Sequence, residues 1–183
     1  KDKRKRKPDE KIANAFREFN KRNNESIECA VPSKLATHTT VLYKYLKDHG
    51  KSMSFSTLDN ADVLAVIKKP PKCCAFLKKK AARNQPAAFE QSLPWPEIAE
   101  SGGFGSVSWY SKDVMNHPRG HVECIIIARD KGIKNKRKAL KEVIYYIHKS
   151  GQDLEEARMK GGESLDQLIK MIQNHIPQHT KDA

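Results

Sequence analysis

Glu28-Cys29-Ala30-Val31-Pro32-Ser33-Lys34-Leu35-Ala36-Thr37-His38-Thr39-Thr40-Val41-Leu42-Tyr43-Lys44-Tyr45-Leu46 is the stretch on which the reading of this chain turns. It opens with a short apolar run, Cys29 to Val31, and Pro32 ends that run because proline has no N–H for a sheet ladder. A polar loop follows from Ser33 to His38. The apolar period then changes: Val41, Leu42, Tyr45 and Leu46 share one helical face. Thr37, Thr39 and Thr40 are each candidate N-caps for that helix. The order is strand, loop, helix, with hydroxyls and a histidine where the helix begins. Backbone N–H groups at such a start suit an anionic or strongly polar ligand. A capped helix without any ligand is the competing reading of the same residues.

Working outward, Ile12, Ala13, Phe16 and Phe19 predict a short helix ahead of this stretch. Ile27 to Val31 is the first strand. Gly50 is placed to end the central helix in a left-handed conformation. Lys51 to Asp59 reads as a polar connection. Val63 to Ile67 is a second β-branched strand, closed by Pro70-Pro71. Cys73, Cys74, Phe76 and Leu77 then predict a helix with its lysines outside. Ala87 to Phe89 predicts a buried strand running into Glu90-Gln91-Ser92, with Pro94-Trp95-Pro96 as an aromatic corner. A carboxylate and an amide at a strand's carboxyl end sit where open α/β sheets bind ligands. An ordinary surface turn is the alternative there, and Trp95 suits either stacking on a ligand or packing.

Ser101-Gly102-Gly103-Phe104-Gly105 matches neither glycine-rich phosphate fingerprint, so a sharp turn before a strand Val107 to Tyr110 is expected. Cys124-Ile125-Ile126-Ile127-Ala128 carries the strongest buried-strand signal. Asn135 is placed to cap a helix with the face Ala139, Leu140, Val143, Ile144 and Ile147, ended by Ser150-Gly151. A further helix, Leu154 to Met159, stops at Gly161-Gly162, and Leu165 to Ile172 forms the last. Strands alternating with helices, then helices alone, predict an α/β sheet with helical cover.

The 183 residues suffice for one good core or two small lobes. No apolar run approaches the ~20 residues that span a bilayer, and no signal peptide is visible behind Lys1-Asp2-Lys3-Arg4-Lys5-Arg6-Lys7, which reads as a solvated tail. The net charge of +13 invites nucleic acid. It is spread over three clusters, however, the tail, Lys68 to Lys80 and Lys131 to Lys141, with no interleaved stacking aromatics and no nucleic-acid signature. The cysteines Cys29, Cys73, Cys74 and Cys124 contain no CxxC pair, so no zinc site is expected. Cys29 and Cys124 are expected as buried free thiols, because both sit inside apolar runs.

Several ordered blocks together resemble one family. They are Ala30-Val31-Pro32-Ser33-Lys34-Leu35-Ala36-Thr37-His38-Thr39, Pro86-Ala87-Ala88-Phe89-Glu90-Gln91-Ser92-Leu93-Pro94-Trp95, the turn Ser111-Lys112-Asp113 with His117-Pro118, and Gly120-His121-Val122-Glu123-Cys124-Ile125-Ile126-Ile127-Ala128. They resemble the substrate-binding proteins of ABC importers for nitrate, sulfonates, taurine, bicarbonate and thiamine precursors, from about Ile27 to Thr180. The resemblance implies a type II periplasmic-binding fold, with a ligand between two lobes. It implies a tail and short helix over residues 1–26, a ligand-binding second lobe over 27–115, and a crossover strand with first-lobe helices over 116–183. Members of that family carry a long first-lobe segment ahead of this region, so an incomplete two-lobe fold is expected here. They also have Pro-Phe after the glutamate where this chain has Gln91-Ser92.

The expectation is therefore a solute-binding component of an importer, not an enzyme, with no cofactor and no metal. Its ligand residues would be Ser33, Thr37, His38 and Thr39, facing Glu90 and Gln91, with Trp95 and His121 nearby. Its partners would be a small anionic or polar solute and a membrane permease, at the periplasmic or outer face of the membrane. The alternatives are a related sensing or thiamine-precursor-synthesis domain, and a basic nucleic-acid-binding protein.

Overall fold

The computed structural model describes residues 10–118, 121 and 124–179. The expected tail Lys1–Lys7 lies outside the described residues. The chain divides into two compact units, the first running to His121 and the second holding residues 124–179.

The first unit is α/β. Its elements are α1 (Glu10–Asn23), β1 (Ile27–Val31), α2 (Thr37–Asp48), β2 (Met53–Ser54), β3 (Val63–Ile67), α3 (Pro71–Ala81), β4 (Ala87–Phe89), α4 (Trp95–Ser101) and α5 (Ser111–Val114). The four strands form one sheet in the order β2-β3-β1-β4, and every pairing is parallel. Helix α2 provides the crossover from β1 towards β2 and β3, and α3 that from β3 to β4, while residues 55–62 join β2 to β3. Cys29 lies opposite Ala65 on one side and Ala88 on the other, so β1, like β3, is an inner strand of the sheet.

Side chains alternate across a strand. Cys29 and Val31 of β1 and Val63 and Ala65 of β3 enter one core with Val41, Leu42, Tyr45 and Leu46 of α2. Ala13 of α1 and Val114 of α5 complete it. Tyr45 packs its ring on His49 (centroids 4.5 Å apart) and on Trp109 (4.9 Å). Glu28 points the other way and meets Lys80 of α3 at 2.6 Å, which puts α3 on the opposite face. Both faces of the sheet are thus covered, as a parallel sheet requires.

The second unit is helical among its described residues: α6 (Asp130–Asn135), α7 (Arg137–Lys160) and α8 (Gly162–His175). None of these helices contains a buried residue.

The bounds of β1 and β3 are those expected, and Gly50 follows the α2 cap with φ of 65°. Elsewhere the structure corrects the reading. The N-cap of α2 is Ala36, which has no side chain able to cap, while Thr37, Thr39 and Thr40 all lie inside the helix. The connection after α2 contains the short strand β2, because Met53 and Ser54 find β3 alongside. Pro94-Trp95-Pro96 opens helix α4 instead of forming a corner; Pro96 sits in the first turn, where a helix needs no N–H. Leu93–Pro94 is a cis peptide.

Val107 to Tyr110 is not a strand. Its backbone donors go to side chains: Val107 N–H to Glu100 Oε1 (3.3 Å) and Tyr110 N–H to Asp113 Oδ2 (3.1 Å). Residues 124–128 form no strand either, and Ile125, Ile126 and Ile127 are exposed. Apolar sequence makes a strand only where a neighbour takes its backbone hydrogen bonds, and the second unit holds no strand among its described residues. Cys124 is accordingly exposed, contrary to the expectation of a buried thiol, whereas Cys29 is buried as expected. Helix α7 continues through Ser150-Gly151, since a single glycine weakens a helix without breaking it. Its N-cap is Lys136, with Asn135 closing α6.

Candidate functional site at the carboxyl edge of the sheet

Three strands of the first unit end side by side. Lys68 N–H donates to the Val31 carbonyl (2.9 Å), and Glu90 N–H donates to the Ala30 carbonyl (2.9 Å). These two bonds extend the ladder one residue past each strand. They bring Pro32-Ser33, Lys68-Lys69 and Glu90-Gln91 to one edge, with the middle strand β1 between the other two. Helices α2 and α3 both begin at this edge, because each follows its strand after a short loop.

The loop between β1 and α2 is held by its own residues. Thr39 Oγ1 donates to the Ser33 carbonyl at 2.5 Å, and Ala36 N–H reaches the same oxygen at 3.4 Å. Thr39 is buried, so its hydroxyl fixes the loop and is not presented to solvent. Ser33 and Thr37 are exposed, and His38 is half-buried. Neither Ala36 nor Pro70, the N-caps of α2 and α3, places a side chain on its helix, and neither first turn contains an acidic residue. Two helix starts therefore keep their partial positive charge at one edge of the sheet.

Glu90 and Gln91 leave β4 in opposite directions, following the pleat. The Glu90 carboxylate acts on Cys29. Burial pushes the Cys29 thiol well above its ordinary value, the Glu90 charge and Cys73 add to the rise, and the Glu90 backbone N–H offsets a part. Gln91 is buried on the α3 side, where its Oε1 accepts the Ser92 N–H at 3.1 Å. Burial also raises the Cys73 thiol, and the Gln91 amide beside it offsets a part. Among the described residues, no conventional acceptor faces Gln91 Nε2.

The edge thus joins Ser33, Thr37, His38, Glu90 and Gln91, with Thr39 as the latch of the loop. Trp95 opens α4; its carbonyl faces the Cys74 thiol (Sγ to O, 3.6 Å), which ties α4 to α3. His121 stands at the end of the first unit, with Nε2 buried and no hydrogen-bond partner among the described residues. Lys68 and Lys69 are the edge residues that the sequence reading missed as site residues. The signal was present, since they follow the apolar run Val63–Ile67 directly, ahead of Pro70-Pro71.

The buried thiols Cys29 and Cys73 are not poised to attack a ligand. A thiol with a raised pKa stays protonated at neutral pH and is a poor nucleophile. Among the described residues, no group of three His, Cys, Asp or Glu side chains is arranged to hold a metal ion, and no helix is long and apolar enough to cross a membrane. A separate open groove of about 710 Å³ runs along α7, lined by Ile147, Gly151, Glu155 and Met159, and contains none of the expected ligand residues. No protein-family model, curated protein or solved structure matches this chain.

Proposed function

We propose that the chain is the solute-binding component of an ABC-type importer, and that it holds a small anionic or polar solute at the carboxyl edge of its sheet. One observation carries this reading. The ends of β1, β3 and β4 meet the starts of α2 and α3, and neither helix start has an acidic residue or a side-chain cap to neutralise it. Ligands of open α/β sheets bind outside the carboxyl ends of the strands, where connections from neighbouring strands turn to opposite faces of the sheet. Here those are the connections after β1 and β3, which lead to α2 on one face and α3 on the other. The fixed loop Ser33–Ala36, His38 and Lys68 supply donors and positive charge, and Glu90 supplies an acceptor that orients the solute. The reading takes the finer fold to be type II periplasmic-binding-like, the partner to be a membrane permease at the outer face of the membrane, and the role to be non-enzymatic.

The test is a thermal-shift panel of nitrate, bicarbonate, phosphate, taurine and aliphatic sulfonates, followed by calorimetric titration of any hit. A solute that binds the native state alone raises Tm by mass action. His38→Ala and Glu90→Ala should each weaken binding by about tenfold, equivalent to about 1.4 kcal/mol, with unchanged circular dichroism. A hit that both variants bind like the parent would place the site elsewhere, and a panel without any shift would remove the importer reading.

A further inference from the structure

Helix α7 is amphipathic over its first half, an arrangement that solute binding at the sheet does not use. Val143, Ile144 and Ile147 lie at i, i+1 and i+4 on one face, and each is about half exposed. Arg137 and Lys141 are one turn apart, and Lys141 lies one turn before Ile144, so exposed cations run along one rim of the apolar face. Tyr146 lies one turn after Val143 on the other rim, exposed and edge-on to Tyr145 with ring centres 5.4 Å apart. This charge does not serve the fold. From Lys131 to His148 there are six Lys or Arg side chains and a single acid, Glu142. The first turn of α7 has no acidic residue, so Arg137 and Lys138 sit at the positive end of the helix dipole, where cations are disfavoured. In the second half of α7, Asp153, Glu155 and Glu156 pair with Lys149, Arg158 and Lys160 of that same half. Glu163 and Asp166 fall in the first two turns of α8, which follows the end of α7 directly, ~36 Å from the α7 start at 1.5 Å per residue.

Apolar side chains rimmed by cations on one helix separate the possible partners. Nucleic acid would engage the cations and leave Val143, Ile144 and Ile147 in water. A stable protein interface uses about 20–30 residues a side, far more than this stripe offers. A bilayer surface takes every part of it. Apolar side chains enter the acyl boundary, tyrosine rings sit at headgroup level, and long basic side chains reach the headgroups with their charged ends. The excess of cations makes the complementary surface an anionic one.

We propose that the first half of α7 lies in the surface of an anionic bilayer, with Val143, Ile144 and Ile147 in the acyl boundary and Arg137, Lys138 and Lys141 on the headgroups. The test co-sediments the full chain with vesicles of phosphatidylcholine, alone or mixed with phosphatidylserine. The parent should bind only the mixed vesicles, and high salt should weaken that binding. Arg137→Gln/Lys138→Gln/Lys141→Gln should cut binding by about tenfold or more. Ile144→Gln/Ile147→Gln should cut it by about threefold or more, without loss of helicity, because glutamine is at least as good a helix former as isoleucine. Ile144→Leu/Ile147→Leu and Lys138→Arg/Lys141→Arg should bind like the parent, because a lipid surface reads apolar area and charge and has no socket of fixed shape. Equal binding to both vesicle types, no binding to either, full binding by either glutamine variant, or a loss on the leucine exchange would each overturn the proposal. So would a lipid-free dimer, seen by sedimentation velocity, that Ile144→Gln/Ile147→Gln dissociates, which would assign the stripe to a second copy. A parent that leaves vesicles unbound but binds duplex DNA through the same cations would assign it to nucleic acid and overturn the proposal as well.

Discussion

Asp62 shows how much one carboxylate can organise. It accepts Lys51 Nζ at 3.0 Å, Ser52 N–H at 2.9 Å and Ser52 Oγ at 3.0 Å, while its own N–H donates to Ser52 Oγ. This knot closes the connection between α2 and β3. Burial would push the Asp62 carboxyl up, but the Ser52 N–H, Lys51 and the Ser52 hydroxyl outweigh it and hold it below the usual range. A depressed pKa in the folded state gives stability that is fully present above the unfolded value of about 3.9 and is lost as pH falls through the folded one. Asp62→Asn should therefore cost about 1–2 kcal/mol at neutral pH, the range for hydrogen bonds to a charged group on a partly solvated site. In urea unfolding the gap between parent and variant should shrink as pH drops below about 4. A gap of the same size at acid pH would exclude the charge as its source. The thiols give a second prediction at this scale. Labelling of the native protein should modify exposed Cys124 first and half-buried Cys74 next, with buried Cys29 and Cys73 reacting only on unfolding. Fast reaction of Cys29 would contradict both its burial and its raised pKa.

At the scale of elements, α7 is the informative case. Ser150-Gly151 reads as a helix end, yet the helix runs on to Lys160. A Cβ at Gly151 would meet nothing within 4 Å, so glycine has no packing role there. Gly151→Ala should stabilise the helix by about 0.5–1 kcal/mol, the cost of glycine in a helix interior. A fall in helicity or Tm would mean that a close contact at this point depends on glycine. Gly105 is the contrasting position. A Cβ there would lie 2.9 Å from Leu77 Cδ2 of α3 and 3.2 Å from Ala99 Cβ of α4, so this glycine lets the chain pass close to both helices. The elements that sequence reading missed, β2, α4, α5 and α6, are all short. The first three depend on a partner supplied by another part of the chain: β3 for β2, the α3 thiol Cys74 for the start of α4, and α2 packing for α5.

For the whole molecule, the two units differ in how they hold themselves together. The first buries Ile27, Val31, Val63, Tyr45 and Leu46 almost completely, and each such side chain contributes about 1.5–3 kcal/mol relative to exposure. The helices of the second contain no buried residue, and Val143, Ile144, Tyr146 and Ile147 of α7 are about half exposed. Few buried contacts mean a low free energy of local opening. In native-state hydrogen exchange, amides of β1 and β3 should be the slowest in the chain, and those of α7 and α8 should exchange by smaller openings. Equal protection of α7 and β1 would show that the second unit is stabilised by contacts as extensive as those of the sheet.

The residues that declare themselves in the sequence are those whose structure is decided locally or by simple burial. Ile27–Val31 and Val63–Ile67 are short β-branched or apolar runs between breakers, and any parallel sheet would accept them. The helical period of α2, the left-handed Gly50 and the Glu90-Gln91 pair after β4 are legible for the same reason. What only the tertiary structure decided is pairing. Residues 124–128 are more apolar than β4, yet β4 is a strand, because β1 lies alongside to take its hydrogen bonds. Thr39 reads as a ligand donor and becomes the latch of the loop, because the Ser33 carbonyl comes within its reach. Lys68 joins the candidate site because one backbone bond to Val31 carries β3 a residue further along β1. Backbone donors and acceptors must all find partners when buried, and sequence pattern states which residues seek burial without stating which neighbour will be there.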